Sequence, residues 1–187
     1  MNEVCQHELL RERPPPVRLL DDSVLRFLPT PLREPRRAWL VLPLCWLLTL
    51  AGAALIAWIL SAVLPRMEQP DFGFFLGKGW LTIFALAVMT PLVETVILAA
   101  TSSALLRFVR PESAIVLSSL GWAIAHSYQA PLWGLVIFWP FIIFTTLYVV
   151  WRQISVVAGI LMAWAAHCLH NILSAVALGF PALVPGV

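Results

Sequence analysis

Apolar residues run along this chain in long uninterrupted stretches, and charged residues fall almost wholly between them. From Ala38 to Pro65 no charge appears, and 28 residues at about 1.5 Å each reach roughly 42 Å, more than the ~30 Å hydrocarbon core. This predicts a tilted first span. The segment Arg66 to Lys78 contains Pro70, Gly73, Gly77, Glu68 and Asp71, which is turn and solvent chemistry. A second span runs from Gly79 to Leu106, stopped by Arg107, Arg110 and Pro111, and Pro111-Glu112-Ser113 opens the next helix. Between Glu112 and Arg152 lie 39 uncharged residues, too many for one crossing, and Pro131 after Tyr128-Gln129-Ala130 supplies the break. The first of these two spans, Ser113 to Tyr128, is near the minimum crossing length, and Pro140 should kink the second. A fifth span covers Ile154 to Leu178 and closes at Gly179 and Pro181. The expected fold is an all-α integral membrane protein, a bundle of about five transmembrane helices, with room for a sixth as a short re-entrant or split helix.

Composition agrees with the pattern. The 187 residues are 60% hydrophobic and 12% charged, and their mean hydropathy is +0.87. Soluble domains carry about 25% charged residues. The expected layout is a basic, proline-containing amino-terminal tail over residues 1–37 and one transmembrane domain over 38–187. The tail holds seven of the twelve basic residues, six of the ten acids and the run Pro14-Pro15-Pro16. It reads as a solvated, poorly ordered arm or an interfacial segment, with Arg33, Arg36 and Arg37 as an orientation signal. No apolar h-region follows the start, so it does not read as a signal peptide. Cys5, Cys45 and Cys168 are odd in number, and two lie in apolar stretches, so they read as buried thiols.

With the amino-terminus in the cytoplasm, five spans put Arg107, Arg110 and Arg152 inside and Arg66 and Lys78 outside, as the positive-inside rule prefers. The expected location is the cell (inner) membrane. Expected partners are the lipid bilayer and a membrane-associated protein or peptide, not nucleic acid.

Candidate chemistry comes from the few polar groups inside the spans. Glu94 is the only charged side chain between Gly79 and Leu106. A carboxylate there costs about 2.5 to 3.5 kcal/mol on insertion scales, so it should face a bundle interior, a partner or a water-filled cavity. Thr90, Glu94 and Thr101 fall close to one side of their helix. His167 and Asn171 are four apart and stack on one face, with His170 flanking them as the expected bystander. His126 follows Gly121-Trp122-Ala123-Ile124-Ala125, whose small residues allow close helix approach. Any one of these polar residues is also the usual interhelical glue. Together, a carboxylate, imidazoles and an amide can activate water and stabilise the oxyanion of an attacked peptide carbonyl. Glu94, His126 and His167 could equally hold a divalent metal such as zinc with a position open for water. The residues do not choose between these routes.

Three segments in order resemble the CPBP family of intramembrane endopeptidases (CAAX protease and bacteriocin-processing, also called Abi). They are Pro91-Leu92-Val93-Glu94-Thr95, Ser118-Ser119-Leu120-Gly121-Trp122-Ala123-Ile124-Ala125-His126 and His167-Cys168-Leu169-His170-Asn171. Trp122 and His126 fill that family's aromatic-x-x-x-His motif, and His167 and Asn171 its His-x-x-x-Asn motif. Glu94 matches the first glutamate of its Glu-Glu-x-x-x-Arg motif, while Thr95 and Ala99 replace the second glutamate and the arginine. The likeness covers about Trp80 to Ala177. It implies peptide-bond hydrolysis, with Glu94 and His126 activating water and His167 and Asn171 stabilising the oxyanion, or His167 serving as a metal ligand. Two rival expectations come from other classes. One is a catalytically silent membrane-embedded binding protein, such as an immunity or assembly factor, and the other is a metal or proton conduit. By position in the spans, Glu94 and His167 should sit near the midplane and His126 toward the outer half, so the cavity should open to the non-cytoplasmic side.

Overall fold

The computed structural model describes residues 18–64, 68 and 70–183, and among them the only regular secondary structure is helical. The run Pro14-Pro15-Pro16 and the loop residue Arg66 lie outside the described residues. A short helix α1 (Thr30–Arg33) precedes α2 (Ala38–Val63), α3 (Trp80–Leu105), α4 (Pro111–Ser127), α5 (Trp133–Trp151) and α6 (Val156–Gly179). Helices α2, α3, α5 and α6 are long and apolar enough to cross a membrane. The segment expected as a third span forms α4, but its 17 residues rise only about 26 Å, and among the described residues it is not one of the helices long enough to cross. The protein is an all-α membrane bundle.

Apolarity all round a helix is compatible with lipid on every side or protein on every side. The two outcomes occur in this one chain. In α2, 17% of the most apolar window is buried, whereas in α5 the figure is 72%, which makes α5 the central helix. It packs against α1, α2, α3, α4 and α6. The chain turns from α4 into α5 at Tyr128 to Leu132, where Leu132 takes a left-handed φ of 69° just after Pro131. Helix α5 then runs on through Pro140. Gly134 is required at this crossing, because a Cβ there would collide with the Ala123 carbonyl and the Ser127 hydroxyl of α4. A similar close approach joins α2 to α5. The indole of Trp139 lies against Gly52 and donates from Nε1 to the Leu48 carbonyl at 2.8 Å.

Of the two expectations for the amino-terminal segment, a solvated, poorly ordered arm or an interfacial segment, the first does not hold over residues 18–37. From Arg18 onward it folds as a cap whose Leu20, Leu25, Leu28 and Leu32 are buried in one cluster with Val41, Cys45, Phe144 and Leu147. Polar groups close the cap on itself. Arg18 meets Glu34 at 2.5 Å and Asp21 at 3.6 Å, while Arg33 pairs with Asp21 and donates from Nε to the Leu28 carbonyl at 2.9 Å. Arg33 is therefore a structural charge, and of the three arginines expected to signal orientation only Arg36 and Arg37 are exposed. The cap was not legible from local composition because its charges neutralise one another only once the chain has folded.

At the opposite end of the bundle, the segment before α3 is clipped to the end of α6. Gly77 and Gly79 donate their amides to the carbonyls of Leu178 and Gly179 at 2.8 and 2.9 Å. Thr82 donates its hydroxyl to the Phe75 carbonyl at 2.5 Å. These bonds hold the entry to α3 in one rotational setting.

Candidate active site

Helix α3 contains an irregularity that its sequence pattern did not predict. Residues Phe84–Met89 form a π-helical segment between α-helical Trp80–Ile83 and Thr90–Leu105. The Thr90 amide bonds to the Ala85 carbonyl, five residues back instead of four. Continued in that register, residue 91 would serve the Leu86 carbonyl, but Pro91 has no N–H to give. Asn171 of α6 supplies it instead, donating from Nδ2 to the Leu86 oxygen at 3.0 Å. Trp164, two turns back along α6 from Asn171, donates from Nε1 to the Val88 carbonyl at 3.1 Å.

Below this segment Glu94 stands with an imidazole on each side. Its Oε1 lies 3.7 Å from His126 Nε2, and its Oε2 lies 3.4 Å from His167 Nε2. His126 has its tautomer set by its own helix, since Nδ1 is 2.9 Å from the Trp122 carbonyl and a carbonyl only accepts. The N–H is thus on Nδ1, and the Nε2 lone pair faces Glu94. His167 Nδ1 is buried without a hydrogen-bond partner among the described residues. Both imidazoles are set by aromatic rings. Phe144 stacks on His167 at 4.4 Å, and Phe141 meets His126 at 5.5 Å and His167 at 5.4 Å while stacking on Trp122 at 4.9 Å. Such contacts are worth about 0.5 to 1.5 kcal/mol each beyond burial. They hold ring planes that long, mobile side chains could not.

These groups line a cavity of about 390 Å³. Its lining includes the polar groups of Thr90, Glu94, His126, His167 and Asn171 and, from α2, the apolar Leu50, Ala53, Ala54 and Ala57. The cavity reaches Phe72, Gln129 and Leu178, at the end of the bundle opposite the amino-terminal cap. The four residues expected to form the site are therefore brought together. His170, the expected bystander, also lines the cavity, edge-on to Phe144 at 5.9 Å, and its Nδ1 is buried and unpartnered among the described residues. Thr101 does not join the stripe with Thr90 and Glu94, since its hydroxyl returns to the Ile97 and Leu98 carbonyls of its own helix. Thr95 and Ala99 are buried in helix packing and do not line the cavity.

Sequence reasoning missed Phe141, Phe144, Trp164 and the π-helical segment. Trp164 carried a signal, for it lies three residues before His167 and seven before Asn171, on the same face of α6. Among the described residues no group of three His, Cys, Asp or Glu side chains is arranged to hold a metal ion, the set Glu94, His126 and His167 included. No protein-family model, curated protein or solved structure matches the chain.

Proposed function

We propose that this protein is an intramembrane endopeptidase that hydrolyses a peptide bond of a membrane-associated protein or peptide, the activity its CPBP-like motifs imply. The observation that carries the reading is Glu94 flanked by two imidazole Nε2 atoms at 3.7 and 3.4 Å in the wall of a cavity inside a membrane bundle. These gaps exceed a good hydrogen bond, and polar contacts of this length accommodate a bridging water. A water between Glu94 Oε1 and His126 Nε2 gives a proton to Glu94 as its oxygen attacks the substrate carbonyl carbon. The carbonyl π pair moves onto oxygen. His167 donates from Nε2 to that oxyanion, exchanging its contact with Glu94 for a stronger one in the transition state. The C–N bond then breaks as Glu94 passes its proton to the leaving amine. Asn171 has one amide N–H committed to Leu86, so its part in the oxyanion site falls to the second N–H of the same group.

Arg36 and Arg37, Arg107 and Arg110, and Arg152 share the end of the bundle at which α2, α4 and α6 begin, and Lys78 lies at the other. We place the arginine end in the cytoplasm of a cell membrane on that charge bias. The cavity then opens to the non-cytoplasmic side, near Phe72 and Gln129. A cysteine at Gln129, in a Cys-free background, should react with an impermeant thiol reagent in intact cells. Reaction only after the cytoplasmic face is exposed would reverse the orientation.

The activity test compares membranes of cells making the wild-type protein with membranes making Glu94→Gln. New peptide termini, identified by terminal labelling and mass spectrometry, should appear with the wild type and fall by about 10² to 10⁴-fold in the variant. Glu94→Gln keeps the shape of the side chain, so insertion and melting should change little. Equal termini in both samples, over an empty-vector background, would refute the hydrolase and leave the silent binding protein as the reading.

A further inference from the structure

The π-helical segment of α3 sits between two anchored parts of one helix, and this makes its geometry a matter of register. Upstream, the amide clips of Gly77 and Gly79 and the Thr82 hydroxyl bond fix the rotation of the helix start. Downstream, Ser102 donates to Ser118 at 3.2 Å and Ser103 meets the Tyr148 hydroxyl at 2.5 Å. A π-helical segment in an α-helix amounts to one extra residue, and such segments occur often at functional sites. If Phe84–Met89 relaxed to α geometry, every residue after it would advance about 1.5 Å and turn about 100°. Val93 would then take the slot of Glu94, and Glu94 the slot of Thr95. Val93 is now 54% exposed and Thr95 is fully buried, so neither slot exchange is neutral. A carboxylate would be driven into dry helix packing and the cavity would lose its acid.

We infer that Trp164, together with Asn171, is a positioning residue that locks the π register of α3 and thereby presents Glu94 to His126 and His167. Relaxation would return the Thr90 amide from the Ala85 carbonyl to that of Leu86 and would shift Val88, so it would disturb both bonds that α6 makes to this segment, at 3.0 and 3.1 Å. In the π register Pro91 leaves the Leu86 carbonyl free for Asn171, because it has no N–H to offer it. Trp164, His167 and Asn171 lie on one face of α6, so one helix face both supplies a site imidazole and sets the register of the residue it faces. The role assigned to Trp164 in catalysis rests on the proposed hydrolase; the register lock itself does not.

The test uses the full-length protein, Cys-free except for the pair Glu94→Cys and His167→Cys, bridged by a bifunctional thiol reagent in the membrane. A reference pair, Ser119→Cys and Thr145→Cys, joins α4 to α5, whose hydroxyls are 3.4 Å apart and outside the register. Trp164→Phe removes the N–H. A benzothienylalanine at position 164 removes it while keeping the bicyclic shape, so that a misfolded phenylalanine variant does not end the experiment. Each should lower bridging of the 94–167 pair about fivefold relative to the reference, the effect of losing one hydrogen bond. In the chain with its native site, the same change should lower kcat by a similar factor and leave KM unchanged. Unchanged 94–167 bridging in the benzothienylalanine protein would overturn the lock, and so would an equal fall in both pairs, which means general loosening. Reduced 94–167 bridging in a protein whose wild type cleaves nothing would uphold the lock and refute the hydrolase.

Discussion

Two clusters of polar side chains lie inside this bundle, and they have opposite character. Toward the arginine end, Ser102 pairs with Ser118, Ser119 with the Ile115 carbonyl and Thr145, and Ser103 with Tyr148, all buried or half-buried. Toward the other end, Glu94, His126, His167 and His170 face a cavity, with Glu94 farther from His126 and His167 than a good hydrogen bond and two imidazole nitrogens unpartnered among the described residues. The hydroxyl cluster is closed on itself, as interhelical glue should be. The acid–imidazole cluster is left open where matter can enter. Unspent hydrogen-bonding capacity marks function in a membrane helix where it faces a cavity; the Thr95 and Thr146 hydroxyls, also unpartnered among the described residues, are buried in helix packing instead.

That contrast can be broken by substitution. Gly134→Leu should have the largest effect after the loss of activity in Glu94→Gln, because four extra carbons must enter the space of the Ala123 carbonyl and Ser127. A destabilisation of about 3 kcal/mol or more is expected, measured as loss of folded monomer in detergent on heating. Retention of wild-type stability would show that α4 and α5 do not meet as described. Within the open cluster, His167→Gln should lower kcat/KM about 10² to 10³-fold on any substrate found by terminal labelling. His170→Gln should cost no more than about tenfold, since His170 lines the cavity without touching Glu94. Equal losses would move the reacting centre toward His170.

The smallest effects belong to the closed cluster. Tyr148→Phe should destabilise the protein by about 1 kcal/mol and Ser102→Ala by about 0.6 kcal/mol, with turnover unchanged in both. Melting and turnover measured on the same preparation check this. A turnover loss above tenfold in Tyr148→Phe would join the two clusters into one functional path, and the comparison would fail.

Much of this was legible before any coordinates. Lipid accepts long uncharged helices and little else, so uncharged stretches bounded by arginine, proline and glycine determine the spans to within a few residues. The same reasoning singles out Glu94, His126, His167 and Asn171, because an ionisable or amide group in hydrocarbon needs a reason to be there. The sequence by itself thus determined the fold class and singled out Glu94, His126, His167 and Asn171 among the side chains that line the cavity.

Only the tertiary structure decided the rest. Which apolar helix is central was undetermined, since α2 and α5 are alike in apolarity and differ in what surrounds them. The amino-terminal cap depends on Arg18, Asp21, Arg33 and Glu34 meeting across a turn, and no local pattern encodes that meeting. The π register of α3 depends on donors from Trp164 and Asn171, respectively 76 and 85 residues away in sequence. Local hydrophobic pattern reports which solvent a segment prefers. It does not report which partner's hydrogen bond will displace the backbone's own, and that competition is what aims Glu94 at the two histidines.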